Sequence, residues 1–329
     1  MPRCSAAGLH FRIISAGFNA PLGFESQRLD FLTGFTQMEV SMKRFEYLKP
    51  HTLEEALSLL NQYGDEARLI AGGTDAIVMN RQKKISPDVL ISLQGIPGLN
   101  QIESNGTFKI GALVTHRTIE QSELIRKRFS LLAEASSVLG SVQVRNVATI
   151  GGNLCTASPS AETAPSLLVY EAEAHLVSQR GERRLSLTSF FLGPGETALD
   201  KKEILKEILL PSPPPNSLGT YLKLGRRKSV DLSLVNVAVL LTLDPKTGIC
   251  ERARIALGAV APTPLRAKET EKILERNLLD ERLIRKAGDW AKQECSPITD
   301  IRGSAEYRRE MVGVLVEKAI RQCMKLVRK

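Results

Sequence analysis

Two short stretches of this chain combine residue types that could hold a phosphate without a cation. They are Ala71-Gly72-Gly73-Thr74-Asp75 and Thr149-Ile150-Gly151-Gly152-Asn153. Two adjacent glycines let a backbone take positive φ and turn several N–H groups toward one point. With no side chains in the way, a ligand can sit directly on that backbone, its charge met by amide dipoles and hydroxyls. A lone Gly-Gly is equally a tight turn between core elements. Here two such stretches fall in different units, so a cleft between the units would turn both toward one extended ligand. Neither stretch has the Gly-x-Gly-x-x-Gly spacing or the P-loop pattern, which speaks against a Rossmann or P-loop fold.

The remaining chemistry-bearing residues form no second constellation. His10, His51, His116 and His175 lack metal spacing and a nearby Ser or Cys partner, although His116 lies close enough to the glycine stretches to touch a ligand there. Cys4, Cys155, Cys250, Cys295 and Cys323 are scattered without a Cys-x-x-Cys, which argues against structural zinc, an iron–sulfur cluster or a disulfide framework in this chain. A reducing cytoplasm fits that usage.

The elements that must position these stretches follow from patterning. At 329 residues, 43% hydrophobic and 25% charged, the chain suits two or three packed soluble units. The net charge of +9 is spread over small groups such as Lys83-Lys84, Arg183-Arg184 and Arg226-Arg227-Lys228. Aromatics are not interleaved with them, so no nucleic-acid platform is expected, and no apolar run is long enough to span a membrane. Residues 1–41 read as a poorly ordered extension, with Met38 and Met42 each placed where a domain could begin.

From Phe45 the pattern is regular. Thr52 to Glu55 is a capping box opening a helix that Gly64 closes. Arg68-Leu69-Ile70 reads as a strand entering the first glycine loop. A helix Ala76 to Arg81 and a strand Val89 to Leu93 follow, giving a first unit over 42–98. A second unit, 99–210, starts with a strand Phe108 to Val114. Helices Thr118 to Arg126 and Leu131 to Leu139 come next, then the second glycine loop, a helix Glu162 to Tyr170, and strands at Ala174–Val177 and Arg184–Leu187. Pro211 to Asn216 can continue neither helix nor strand and is the linker. Beyond it, 217–329 shows strands at Thr220–Leu224, Leu234–Leu243 and Arg252–Val260, with an Asp244-Pro245-Lys246-Thr247-Gly248 hairpin turn, then helices from Arg266 on, an α+β unit.

Taken in order, Ala71 to Asp75, Ile110-Gly111-Ala112, Arg145 to Asn153 and Ala157-Ser158-Pro159 resemble the FAD-binding medium subunit of molybdenum hydroxylases. That family includes flavin subunits of bacterial carbon monoxide, xanthine and aromatic dehydrogenases, and the resemblance runs from about Met42 to the C-terminus. It implies an α+β architecture, two α/β subdomains of a vanillyl-alcohol-oxidase/PCMH-type FAD-binding domain plus a C-terminal α+β domain. It implies that Ala71 to Asp75 and Thr149 to Asn153 hold the FAD diphosphate, with Leu69 and Ile70 also among the cofactor-binding residues. Gly111, Ala112 and Thr115 would line the cleft, and residue 162 would contact the flavin nucleotide. The family usually carries Asp at that place; this chain has Glu162.

Tyr221 to Ser233 looks like the family's Tyr-x-Lys-x-x-Arg segment with a following Asp. A cation near the isoalloxazine would stabilise the reduced anionic flavin, which favours Lys223 or Arg226 there; Asp231 is expected to pair locally with an arginine. The resemblance further implies a molybdenum–pterin large subunit, a small subunit with [2Fe-2S] clusters, a dimer of heterotrimers, and NAD+ or another electron acceptor. This chain itself would hold no catalytic acid, base or nucleophile. The alternatives are a self-contained FAD-dependent oxidase or reductase, and a non-catalytic nucleotide-binding subunit.

Overall fold

The computed structural model describes residues 43–227 and 229–327, so the expectation for residues 1–41 lies outside the described residues. Three hydrophobic cores succeed one another along the chain, each built on its own sheet.

The first sheet is parallel, in the order Glu46–Leu48, Val89–Ser92, Ala67–Ile70. The helix Leu53–Tyr63 buries Ala56, Leu57 and Leu60 against it. Thr52 Oγ1 accepts from the Glu55 N–H at 3.1 Å, while the Glu55 carboxylate reaches one residue further than a capping box requires, to the His51 N–H at 2.7 Å.

The second sheet is antiparallel, ordered Ile102–Glu103, Phe108–Gly111, Ile204–Leu210, Glu173–Ser178, Gly181–Ser186. Its central strand Ile204–Leu210 is not evident from the sequence, because Lys206 and Glu207 interrupt the apolar run. Glu207 is accommodated by His175, whose Nδ1 lies 2.8 Å from its carboxylate. Two expected elements are shorter than their patterns. The strand from Phe108 stops at Gly111, and the expected Thr118 to Arg126 helix is two helices, His116–Gln121 and Glu123–Arg128. Ser122 makes that break, accepting from the Ile125 N–H at 3.3 Å as the cap of the second helix.

In the third sheet Ser217–Leu224, Val235–Leu243, Ile249–Gly258 and Leu265–Arg266 pair antiparallel. Val235, Val237, Val239 and Leu241 face the helices Glu281–Gln293 and Ala305–Val327, while Ala238 and Leu240 belong to the second core. The central strand is thus buried on both faces, and this sheet is fixed against the middle of the chain. Asp244 closes the hairpin as expected, its Oδ1 accepting from the N–H groups of Lys246 and Thr247. Among the described residues no helix is long and apolar enough to cross a membrane.

Candidate functional site: a cleft between two glycine motifs

The first motif leaves the strand Ala67–Ile70 and turns at Gly73, whose φ of 74° lies in the left-handed region that glycine permits. Gly72 lies flat against the carbonyl of Val147, so closely that a Cβ would collide with that backbone. The wall behind the loop is therefore the end of the helix Val142–Val147. Leu69 packs on the first core, buried Ile70 lies against Gly73, and Gln94 Nε2 donates to the Ala71 carbonyl at 3.1 Å. None of the N–H groups of residues 72 to 75 donates to an acceptor among the described residues. Asp75 does not cap the helix Ala76–Arg81 that follows; its Oδ2 accepts from the Thr156 hydroxyl at 3.3 Å.

The second motif differs from expectation. Gly151 and Gly152 are not a loop with positive φ but the first turn of the helix Ile150–Thr156. Thr149 is its N-cap, accepting from the Gly152 N–H at 3.1 Å. The N–H groups of Ile150, Gly151 and Asn153 are taken by Val114, Ala112 and Thr149 carbonyls. Amides converging on a ligand are thus a property of the first motif and not of the second. Glycine disfavours helix by roughly 1 kcal/mol, and close packing overrides that here, since a Cβ on Gly151 would stand 2.7 Å from that of Ala112. Gly111 is likewise pressed against the Leu99 carbonyl.

Gly152 alone opens outward. Beyond its own cap Thr149, the nearest atom to a Cβ there is Ala71 Cβ, at 4.0 Å. The two motifs therefore face each other, Gly152 toward Ala71, with Ala71, Thr74 and Asn153 partly exposed. Thr115 is bridged to Thr149 and spends its hydroxyl capping the helix His116–Gln121. Asn153 Oδ1 accepts from Thr163 Oγ1 at 2.6 Å.

At one end of the site Glu162 precedes the helix Thr163–Val169 without capping it. Its carboxylate is 2.9 Å from Lys223 Nζ, which also donates to the carbonyls of Val138 at 3.0 Å and Asp231 at 2.7 Å. Burial pushes the Glu162 carboxyl above the usual range, against the pull of the Lys223 ammonium. All three Lys223 donors are engaged, which leaves none directed at a ring as the sequence suggests. Arg226 is exposed, and Asp231 pairs with the Arg227 side chain at 3.9 Å as expected, while its Oδ2 accepts from the backbone N–H groups of Arg226 and Arg227.

His116 is fully buried with neither ring nitrogen hydrogen-bonded, so it lies under the cleft and not in it. Burial lowers its pKa to about 4. Two supporting residues escaped sequence reasoning. Buried Arg145 donates to Glu120 Oε2 and to the Leu139 carbonyl, each at 3.0 Å, and so fixes the helix that backs Gly72. Arg145 opens the second motif, but nothing local marks Glu120 as its partner. Burial raises the Cys155 thiol to about 12, which makes it a poor nucleophile. A cavity of about 780 Å³ is lined by Glu171, Arg184, Arg266 and Lys268 among others, away from both motifs.

Comparison with known proteins bears on both halves of the chain. Residues 43–213 match the family described as FAD binding domain in molybdopterin dehydrogenase, and residues 220–323 match the CO dehydrogenase flavoprotein C-terminal domain. The carbon monoxide dehydrogenase medium chain of Hydrogenophaga pseudoflava is 34% identical over 84% of this chain and 96% of that one. The nicotinate dehydrogenase FAD-subunit of Eubacterium barkeri is 37% identical over 71% of this chain and 80% of its own length. A solved structure of the Hydrogenophaga pseudoflava carbon monoxide dehydrogenase superposes with a TM-score of 0.84 at 33% identity, covering 87% of this chain and 99% of that one.

Proposed function

The chain belongs to the FAD-binding medium subunits of molybdenum hydroxylases, of the carbon monoxide and xanthine dehydrogenase type, and from that premise we propose that it is the electron-exit flavoprotein of a molybdenum-dependent dehydrogenase complex. The observation that carries the reading is the gap between Gly152 and Ala71, beside four backbone N–H groups at residues 72 to 75 that no acceptor among the described residues claims. Such a cradle fits the diphosphate of FAD. It is lined by small residues and supplied with amides rather than fixed cations.

The amides of Gly72 to Asp75 would hold the diphosphate, with Gly152 as the opposite wall, Gly151 packed behind it, and Thr74 and Asn153 at its edges. Glu162 would meet the flavin nucleotide only with the carboxylate oxygen that Lys223 leaves free. Lys223 acts through Glu162, holding that carboxylate in place. Bound FAD would supply the conversion between one-electron donors and a two-electron acceptor. By this reading a [2Fe-2S] small subunit delivers electrons that a molybdenum–pterin large subunit takes from the organic substrate, within a cytoplasmic dimer of heterotrimers, and NAD+ is the acceptor.

Anaerobic mixing of the flavin-loaded chain with NADH tests the acceptor. Bleaching of the flavin band within seconds is expected. A flavin untouched by NADH but bleached by a quinol would replace NAD+ with a quinone.

A further inference from the structure

The cavity of about 780 Å³ lies where the second and third sheets meet, and its volume is in the range of small-molecule sites. The helix Thr163–Val169 separates it from the glycine cleft. Glu162 stands before the first residue of that helix at the cleft, and Glu171 follows its end at the cavity.

At Glu171 the chain turns left-handed, with φ of 54°, and the carboxylate there collects three arginines. Arg254 Nη2 lies 2.7 Å from it, Arg252 Nη2 3.1 Å and Arg266 Nη1 4.0 Å. The side chains of Arg254 and Arg266 are each only 6% exposed. Arg254 Nε is buried with no acceptor among the described residues. Arg266 Nε is met by Glu271 and its Nη1 by the Leu168 carbonyl at 3.2 Å, so its Nη2 is the group left for a ligand. Lys268 Nζ approaches Glu271 at 3.5 Å, and Arg184 lines the cavity with no side-chain partner among the described residues.

The lining residues and their ion-pair partners thus set five cations, Arg184, Arg252, Arg254, Arg266 and Lys268, against three carboxylates, Glu171, Glu173 and Glu271. Buried guanidinium groups cost free energy unless acceptors meet them, and one carboxylate shared among three falls short. The excess of two positive charges equals the charge of a phosphate monoester near neutral pH, whose oxygens suit the guanidinium fork.

A bare phosphate would leave much of this volume unfilled. Away from the cations the wall holds Glu173, which makes no ion pair among the described residues, and Ser186, its register partner on the next strand. The hydroxyls of Ser186 and Thr188 bond one another at 2.9 Å and keep lone pairs free. These are acceptors for the hydroxyl groups of a sugar.

We propose that this cavity binds a sugar phosphate or nucleotide, its phosphate on Arg184, Arg266 and Lys268 and its sugar hydroxyls on Glu173. The site is separate from the glycine cleft and stands independently of the flavoprotein reading.

The test is isothermal titration of the full chain, with FAD in excess so that the cleft is filled. The probes are ribose 5-phosphate, AMP and inorganic phosphate. Ribose 5-phosphate or AMP binds at least tenfold more tightly than inorganic phosphate. Arg184→Gln with Lys268→Gln, both at exposed positions, weakens that binding at least tenfold and leaves FAD per chain unchanged. Arg282→Gln with Lys286→Gln takes two exposed cations from the helix Glu281–Gln293 and leaves the binding unchanged. Binding of ribose 5-phosphate makes sugar phosphates sufficient as ligands, and binding of AMP alone restricts the site to nucleotides; either supports the proposal. No binding of any probe at millimolar concentration overturns it, as does inorganic phosphate binding as tightly as the other two. Undiminished binding in Arg184→Gln with Lys268→Gln also overturns it. A chain that takes up no FAD fails the flavoprotein reading instead, and the same double variant still decides the cavity.

Discussion

Lys223 and Glu162 form a 2.9 Å ion pair between the third sheet and the helix beside the glycine cleft, with side chains only 12% and 7% exposed. The pair joins the C-terminal part of the chain to the cleft, because Lys223 lies on the strand Ser217–Leu224. A buried charge left without its partner costs more than the intact pair gains, which makes the two single substitutions unequal.

Lys223→Met strands an ionised or newly protonated Glu162 and leaves two carbonyls unpaired. A loss on the order of 3 kcal/mol is expected in urea unfolding of the flavin-loaded chain. Glu162→Gln keeps an acceptor for Lys223 and is expected to cost about 1 kcal/mol. Equal losses would mean that the pair is solvated and the interface looser than described.

The glycines separate folding from binding. Gly72→Ala and Gly151→Ala put a methyl group into backbone and are expected to destabilise the chain by about 2 kcal/mol. Gly152→Ala meets only its cap hydroxyl at 3.0 Å and otherwise points into the gap. It is expected to fold normally yet weaken FAD binding at least tenfold, about 1.4 kcal/mol. Fluorescence titration of the apoprotein measures it, and wild-type affinity in Gly152→Ala would place the ligand elsewhere.

His116 gives a pH dependence of definite sign. Its folded pKa is depressed from 6.5 to about 4, so the unfolded chain binds the proton more readily. Its contribution is complete above pH 6.5 and is lost as pH falls toward 4, about 3 kcal/mol over that window. His116→Leu removes the dependence. Urea midpoints between pH 7 and pH 4 should fall less steeply in the variant, and parallel curves would rule this out.

The Arg145–Glu120 pair is the support of the first motif at one remove. Glu120→Ala leaves buried Arg145 with one carbonyl partner and is expected to cost about 3 kcal/mol. FAD should also dissociate faster, as the wall behind Gly72 loosens. Unaltered dissociation in a destabilised variant would separate the support from the cradle.

What was legible in the chain was local. Thr52 announced its helix, Asp244 its turn, and Gly72-Gly73 a loop after a strand, since each acts on residues within a few positions. The helical state of Gly151-Gly152 was hidden because propensity points the other way and Ala112, which decides it, lies 39 positions earlier. Ile204–Leu210 was hidden by Glu207, whose partner His175 is 32 residues away. The acceptors of Lys223 were hidden for the same reason, since Val138 and Glu162 belong to another part of the chain.

The most direct measurement is the visible spectrum of the purified chain with identification of the nucleotide it releases. The account predicts one FAD per chain, a flavin spectrum without iron–sulfur absorption, and no oxidation of aldehydes, purines or aromatics by the chain alone. A colourless protein that fails to take up added FAD would contradict it.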